Sequence, residues 1–374
     1  MSVRLEAEHL YKVFGRRQEE AVERLRTGTD REELRSEGTT AGVIDASFSV
    51  ESGKIFVVMG LSGSGKSTLL RMLNGLSEPT AGHVKFDGQD LTALPAKELR
   101  AVRSHKISMV FQHFALFPHR SVLENAAYGL AVQGVPRAER EQRAAEALEL
   151  TGLKGWETSF PDELSGGMQQ RVGLARALAT DAELLLMDES FSALDPLIRR
   201  DMQDQLLVLQ KKLKKTIVFI THDLNEAMRL GDRIAVMRDG RIVQNGTPED
   251  ILVRPADEYV ANFIQDVDRS RVLTAGAIME SADALRAGSG RTDLTDTELL
   301  AKAPARVGPD TPLAELFAPC AQRAAAPVAV VEDEVLTGVV SQERLLAVLG
   351  EAAATGGQDD AQGGTAGDKV SARA

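Results

Sequence analysis

A glycine-rich stretch directly after a short apolar run holds the clearest chemistry in this sequence. Residues 60–68 fit the spacing G-x-x-x-x-G-K-S/T, and the apolar residues 55–59 precede them. In such a loop, glycines let backbone N–H groups close around phosphate oxygens, and the helix that follows adds partial positive charge. We therefore expect a nucleotide-phosphate site, with Lys66 at the outer phosphates and Ser67 at a magnesium ion. The phosphate-loop residues are Gly60, Leu61, Ser62, Gly63, Ser64, Gly65, Lys66, Ser67 and Thr68.

Two carboxylates follow a second apolar run, residues 182–187. The run predicts a buried strand, and strand ends are where sheet enzymes act. Asp188 is suited to hold Mg²⁺ with Ser67 and water, and Glu189 to polarise the water that attacks the γ-phosphate. Two acids after a strand can also be a helix cap, but the presence of the phosphate loop favours catalysis. Kinases, GTPases, helicases and transport motors share such loops, so the reaction class stays open.

Length and composition narrow the class of protein. The chain has 374 residues, 43% of them hydrophobic, and a formal net charge of -11. This predicts two or three globular domains and argues against a general nucleic-acid binder. Cys320 is the only cysteine, which excludes a disulfide framework and suits a reducing cytosol. Because neither a signal peptide nor a run of ~20 apolar residues is evident, we expect membrane association only through a partner.

Alternating strand and helix patterns predict the scaffold that positions these sites. Arg4–Phe14, Val43–Val50 and Thr216–Thr221 have the composition of strands, the first two of them short. Pro136–Leu150 predicts an exposed helix with proline at its first position, and a second helix begins at Asp195. Repeated alternation of strands and helices implies a largely parallel sheet, and therefore an α/β core.

A polar segment, residues 16–41, separates the first two strands. Its apolar residues predict helix, and Thr29 and Glu32 have the spacing of a capping box. A solvated insertion without further role is the alternative interpretation.

Residues 164–169 read LSGGMQ and precede a helix-like run. This stretch resembles the signature motif of ATP-binding cassette (ABC) proteins, whose other motifs occur in the family's order over residues 1 to about 265. The resemblance identifies Gln112 as the Q-loop, residues 192–195 as the D-loop and His222 as the switch histidine. It implies a P-loop NTPase cassette with a RecA-like core, an antiparallel β subdomain and a helical signature subdomain, residues 112–180.

The resemblance also implies roles for individual residues. Ser165, Gly166 and Gly167 precede a helix and could grip a γ-phosphate, with plain helix capping as the alternative. In the family this turn faces the nucleotide of a second subunit, so two identical chains would enclose two ATP molecules. Further residues of the implied nucleotide site are Phe14 at adenine, Gln112 at magnesium and attacking water, Asp195 in the D-loop, and His222 at the γ-phosphate.

Residues 111–125 and 168–174, together with the insertion, resemble ATPase subunits of glycine betaine/proline importers. Such importers move quaternary ammonium or proline-type osmolytes inward, with a polytopic membrane permease and an extracytoplasmic binding protein as partners. The resemblance implies a homodimeric ATPase that uses ATP and Mg²⁺, binds no nucleic acid and lies peripherally on the cytoplasmic face of the inner membrane. Importers of methionine, polyamines or amino acids are the alternative, followed by cassette ATPases that act without a permease.

The composition shifts after about residue 265. Residues 327–333 and 338–349 resemble the strand and helix pattern of one cystathionine β-synthase (CBS) regulatory module, and residues 273–279 the opening of a second. We expect a cassette over residues 1–265, a degenerate or truncated CBS-like region over 266–352, and a disordered tail over 353–374.

Overall fold

The computed structural model describes residues 3–112, 115–192, 194–265, 267–281, 300–301, 303, 305–322 and 327–355. Its contacts divide the chain after Ile251 into two units. In the part of the chain that it describes, no helix combines the length and the apolar character needed to span a bilayer. The strands of the first unit are β1 Val3–Phe14, β2 Thr40–Glu51, β3 Ile55–Met59, β4 Ala81–Phe86, β5 Gln89–Asp90, β6 Ile107–Val110, β7 Leu184–Asp188, β8 Thr216–Thr221, β9 Arg233–Arg238 and β10 Arg241–Gly246.

A mostly parallel sheet forms the centre of the first unit. Its strand order is β10-β9-β3-β8-β7-β6, and each neighbouring pair is parallel except β9 with β10. Every residue of β3 and β8 is buried, as expected for strands that are covered on both faces. The predicted α/β core is therefore confirmed. The helices of this unit are α1 Gln18–Arg26, α2 Arg31–Ser36, α3 Lys66–Leu73, α4 Ala96–His105, α5 Val122–Ala126, α6 Tyr128–Val132, α7 Arg137–Leu150, α8 Gly166–Ala179, α9 Pro196–Leu213, α10 Leu224–Leu230 and the start of α11 Pro248–Val253.

An antiparallel sheet with the order β2-β1-β4-β5 packs against the parallel one. Phe48 of β2 stacks on Phe56 of β3, with ring centroids 4.7 Å apart. β1 agrees with the predicted strand Arg4–Phe14 to within one residue. β2 starts at Thr40, before the predicted Val43, so it is longer than the short strand expected, and the register between β1 and β2 is irregular at several points.

The insertion between β1 and β2 forms α1 and α2. The predicted capping box at Thr29 was wrong, because Asp30 caps α2 by accepting a hydrogen bond from the Glu32 amide at 2.7 Å. Aspartate is as good an N-cap as threonine. With Asp30 as the N-cap, Glu32 is the second helical residue, whereas a capping box needs the glutamate at the third.

Helices α5 to α8 form a separate apolar cluster that includes Leu130, Leu148 and Val172. Pro136 is the N-cap of α7 rather than its first helical residue, and the predicted pair Glu139–Arg143 is present at 3.7 Å. The fully buried Asn125 of α5 holds the segment after β6. Its side-chain oxygen accepts from the Phe117 amide at 2.8 Å, and its amide donates to the carbonyls of Phe117, Arg120 and Ser121.

In the second unit, β11 Arg306–Val307 pairs in parallel with β12 Val328–Glu332, which pairs antiparallel with β13 Val335–Val340. The helix after β13 ends at Thr355, so it includes the first residues of the predicted disordered tail. Residues 356–374 of that tail and residues 282–299 of the predicted regulatory region lie outside the described residues. The assignment of a CBS-like module stays a prediction. The helices of this unit are α12 Glu258–Phe263, α13 Arg269–Val272, α14 Ala275–Ile278, α15 Leu313–Gln322 and α16 Gln342–Thr355.

Replacing Asn125 by alanine should destabilise the helical cluster. Asn125→Ala removes four hydrogen bonds from buried groups, so we expect a loss of about 2–3 kcal/mol in the free energy of unfolding. Urea unfolding measures this loss, and hydrogen exchange should rise in residues 115–121. The exposed Gln142→Ala on α7 is the control and should change stability by less than about 0.5 kcal/mol. Equal stability of the two variants would contradict the proposed role of Asn125.

Candidate nucleotide site

The phosphate loop connects β3 to α3 at the carboxyl edge of the parallel sheet. At two positions of this loop only glycine fits, because a Cβ atom would clash with the neighbouring backbone and the backbone has a positive φ. A Cβ atom on Gly60, whose φ is +150°, would lie 2.2 Å from the Met237 carbonyl oxygen. One on Gly65, whose φ is +104°, would lie 2.2 Å from the Gly42 carbonyl oxygen. Neighbouring strands therefore confine this loop so closely that side chains at these positions would displace it.

Lys66 places a buried cation inside this loop. The side chain is 4% exposed, and its ammonium donates to the carbonyls of Gly60 at 2.8 Å and Leu61 at 3.0 Å. Its Nζ also lies 3.8 Å from Oε1 of Glu189. Burial lowers the pKa of Lys66, while the nearby Glu189 and Asp188 carboxylates favour the charged form.

Ser67 and Asp188 meet directly across the loop and β7. The Ser67 hydroxyl donates to Oδ1 of Asp188 at 3.1 Å. Burial raises the pKa of Asp188, and the hydrogen bond from Ser67 opposes this effect. A hydroxyl beside a carboxylate is a hard-oxygen pair that suits Mg²⁺, which usually completes its shell with water and substrate phosphates. The described residues contain no cluster of three or more His, Cys, Asp or Glu side chains suited to a metal.

Glu189 follows β7 and His222 follows β8, the neighbouring parallel strand. The Nδ1 atom of His222 lies 3.0 Å from Oε2 of Glu189. Glu189 is 18% exposed, and its backbone adopts the left-handed region with φ of 41°. Such a conformation costs a non-glycine residue free energy and is often found at functional sites. The turn directs the carboxylate between Lys66 and His222.

A network behind His222 was missed by the sequence analysis. The Thr221 hydroxyl donates to the buried Glu226 at 2.6 Å, and burial raises the pKa of Glu226. Arg199 of α9 donates to Asp223 at 3.1 Å and to the carbonyls of Ser192 and Leu194. Arg199 therefore connects the segment before α9 with the residues flanking His222. Glu226 lies one helical turn after Asp223, a spacing that could have indicated a buried anchor for this segment.

The turn at residues 165–167, called the signature turn below, lies at the start of α8. Ser165 is its N-cap and accepts a hydrogen bond from the Met168 amide at 3.4 Å. Ser165 and Gly166 are exposed, whereas a Cβ atom on the buried Gly167 would lie 2.6 Å from the Ile198 side chain. Among the described residues, no hydrogen bond or ion pair joins this turn to the cluster of Lys66, Ser67, Asp188, Glu189 and His222.

The remaining predicted residues are Phe14, Gln112 and Asp195. Phe14 ends β1 and is 46% exposed, with the Lys12 ammonium 5.4 Å from its ring centroid. Gln112 lies two residues after β6, at the same edge of the sheet. Asp195 caps α9 by accepting from the amides of Leu197 and Ile198, and Ala193 of the D-loop lies outside the described residues. Their nucleotide roles stay predictions.

Comparisons with known proteins agree with this geometry. Residues 43–192 match the ABC transporter family. The glycine betaine transport ATP-binding protein OpuAA of Bacillus subtilis strain 168 is 59% identical, over 77% of this chain and 69% of that protein. The glycine betaine/proline betaine transport system ATP-binding protein ProV of Escherichia coli K12 is 45% identical, over 93% of this chain and 98% of that protein. A dimeric post-hydrolysis structure of the ATP-binding cassette MJ0796 with ADP and Pi is 31% identical, with a TM-score of 0.55 over 65% of this chain and 98% of that one.

Removing the charge of Asp188 should stabilise the ligand-free protein at neutral pH. Because burial raises the pKa of Asp188, its ionised form costs free energy in the folded state. Asp188→Asn should therefore unfold at higher urea concentration at pH 7. The difference should shrink as the pH falls towards about 3.9 and vanish well below it, where the wild-type carboxyl is protonated in both states.

The same variant should lose the magnesium dependence of ATP binding, measured by titration with and without the metal. The exposed Asp162→Asn is the control and should change neither property. Lower stability of Asp188→Asn at pH 7 would contradict the desolvation argument.

Proposed function

We propose that this chain hydrolyses ATP to drive osmolyte import through a partner permease. It belongs to the ABC transporter family and is similar there to glycine betaine/proline betaine transport ATP-binding proteins such as OpuAA and ProV. One observation carries the proposal. The phosphate loop, the carboxylates of Asp188 and Glu189, and His222 converge at the carboxyl edge of one parallel sheet.

The residues of this cluster have separable tasks in phosphoryl transfer. The Lys66 ammonium and the loop amides would neutralise and orient the phosphates, a contribution that is mainly electrostatic. Ser67, Asp188 and Gln112 are the residues that would hold Mg²⁺, which neutralises charge on the phosphate oxygens when bound. The hydroxyl–carboxylate pair at 3.1 Å supports this assignment for Ser67 and Asp188.

Glu189 would orient the attacking water and accept its proton. Its carboxylate is held on one side by Lys66 at 3.8 Å and on the other by His222 at 3.0 Å. Two such contacts fix the carboxylate in one position, as general-base catalysis requires. His222 is 55% exposed, so it can contact both Glu189 and the γ-phosphate of a bound nucleotide.

A second copy of the chain would complete each nucleotide site. The signature turn exposes Ser165 and Gly166, and no side chain lies within 4 Å of a Cβ position on Gly166. The exposed Gly166 lies at the N-terminus of α8, a 14-residue helix, where the helix dipole favours an anion. The dimeric state of the MJ0796 cassette supports this arrangement. Closure of the homodimer around ATP would do the mechanical work, and hydrolysis would reopen it.

We place the chain on the cytoplasmic face of the inner membrane, bound to a polytopic permease that receives cargo from an extracytoplasmic binding protein. The names of OpuAA and ProV support glycine betaine or proline betaine as the cargo of that permease. The osmolyte would not touch this chain, because the cluster around Lys66 is built for phosphate.

Glu189→Gln should separate ATP binding from hydrolysis. The amide cannot accept a proton, so we expect turnover to fall by at least about 100-fold while ATP binding persists. Size-exclusion chromatography with ATP should show the variant trapped as a dimer. The exposed Glu98→Gln on α4 is the control and should hydrolyse ATP like the wild type. Undiminished hydrolysis by Glu189→Gln would show that Glu189 is not the base.

The transport assignment is tested with the complete complex. The tagged chain should co-purify from its own membrane with a polytopic protein. In proteoliposomes, we expect glycine betaine or proline betaine to stimulate ATP hydrolysis more than choline or carnitine, with no stimulation in the Glu189→Gln complex. Stimulation by none of these compounds would reject the osmolyte cargo, and co-purification with ribosomes or DNA alone would reject transport.

A further inference from the structure

The insertion between β1 and β2 reaches the phosphate loop through one side chain. Arg31, the first residue of α2, donates from Nη2 to the Gly63 carbonyl at 3.5 Å. Its Nη1 donates to Oδ1 of Asp239 at 3.3 Å. The guanidinium therefore joins the outer side of the loop to the turn between β9 and β10.

Apolar packing holds the insertion that presents Arg31. Val22, Leu25 and Leu34 from α1 and α2 are buried against strands β1 and β2. On the surface, Arg24 of α1 pairs with Glu33 at 2.9 Å and with Glu37 at 2.6 Å. These contacts fix α2 to α1 and to the sheet, so Arg31 is held in place by a scaffold. Only 22% of its side chain is exposed.

The turn between β9 and β10 also binds the phosphate loop through Gly240, the residue after Asp239. The Gly240 amide donates to the Ser64 carbonyl at 2.9 Å, and the Gly240 carbonyl accepts from the Ile44 amide at 2.8 Å. Two consecutive carbonyls of the phosphate loop, those of Gly63 and Ser64, are thus bound from outside. Across a trans peptide the C=O and the next N–H point in opposite directions. Holding both carbonyls therefore fixes the planes of two peptides in the loop: the N–H of the first, that of Ser64, donates to the Leu61 carbonyl at 3.2 Å, and the second carries the N–H of Gly65.

Fixed peptide planes matter because a phosphate loop works through converging amide dipoles. These dipoles repel one another until an anion arrives, so a loop that is held open in advance loses less free energy when it binds. We propose that the insertion is an external clamp on the phosphate loop, and that Arg31 is a positioning residue that raises its affinity for nucleoside di- and triphosphates. This inference rests on the nucleotide binding that belongs to the proposed function.

The simpler explanation is a surface ion pair between Arg31 and Asp239, which is 70% exposed and would contribute little. The two explanations predict different effects of removing the Asp239 carboxylate. A clamp that acts through Gly63 persists in Asp239→Asn, whereas an ion pair does not.

Nucleotide affinity of the full chain tests the proposal. Titration with ADP should show that Arg31→Ala raises the Kd about 3- to 10-fold, as expected for the loss of a charge-assisted hydrogen bond at a partly exposed site. The KM for ATP should rise in parallel, while kcat changes by less than about twofold, because Arg31 does not touch the reacting atoms. Arg31→Lys, which keeps the charge but replaces the two donor nitrogens by one, should be intermediate.

Two variants serve as controls. Arg35→Ala removes an arginine from the same helix that is 69% exposed and lies 3.6 Å from Glu32, so it should leave the Kd unchanged. Asp239→Asn should keep most of the wild-type affinity. Melting temperatures of all variants are measured alongside, and we expect Arg31→Ala to bind more weakly while melting within a few degrees of Arg35→Ala.

The proposal is overturned if Arg31→Ala binds ADP like the wild type, or if Asp239→Asn reproduces its whole effect. It is also overturned if Arg31→Ala and Arg31→Lys lose affinity only in proportion to lost folded protein. In each case a wild-type chain that binds ADP leaves the proposed function intact. A wild-type chain that does not bind nucleotide rejects the proposed function itself.

Discussion

The buried ammonium of Lys66 is the interaction on which the site depends. An ammonium group that is only 4% exposed is stable only when hydrogen-bond acceptors surround it. Its acceptors here come from the phosphate loop and from the end of β7, and the end of β8 supports the latter. The carbonyls of Gly60 and Leu61 belong to the loop, Glu189 follows β7, and Glu189 in turn contacts His222 after β8. The contacts of this one cation therefore hold the Glu189 carboxylate, and through it His222, beside the phosphate loop.

A network of hydrogen bonds and ion pairs surrounds this cluster. Glu189 is held in a left-handed conformation, and the network of Arg199, Asp223 and Glu226 connects the residues before α9 with those around His222. The segment before α9 includes residues of the D-loop. Arg199 joins this segment to Asp223, the residue after His222, so the placement of both depends on a side chain that lies outside the phosphate-binding cluster.

The phosphate loop is held both by close backbone packing at its glycines and by hydrogen bonds to the carbonyls on its outer side. Gly60 and Gly65 approach neighbouring backbones so closely that no side chain fits, while Arg31 and Gly240 bind the outer carbonyls of the loop. The signature turn, in contrast, is exposed at Ser165 and Gly166. One wall of the nucleotide site is held within the chain, and the other, in the proposed dimer, comes from a second copy.

Local sequence patterns were enough to predict the fold class, the loop at residues 60–68 and the strand that ends in Asp188. Each of these follows from consecutive residues and needs no information about the rest of the fold. The cap at Asp30, the start of β2, and the contacts of Arg31 and Arg199 could not be predicted from the sequence. Competing caps one residue apart have similar free energies, and strand ends depend on register with a partner. Arg31 and Gly63, or Arg199 and Asp223, lie far apart along the chain, so only the packing of several elements brings them together. The sequence thus determined which groups the chain could use for phosphate chemistry, and the tertiary structure decided which of them touch.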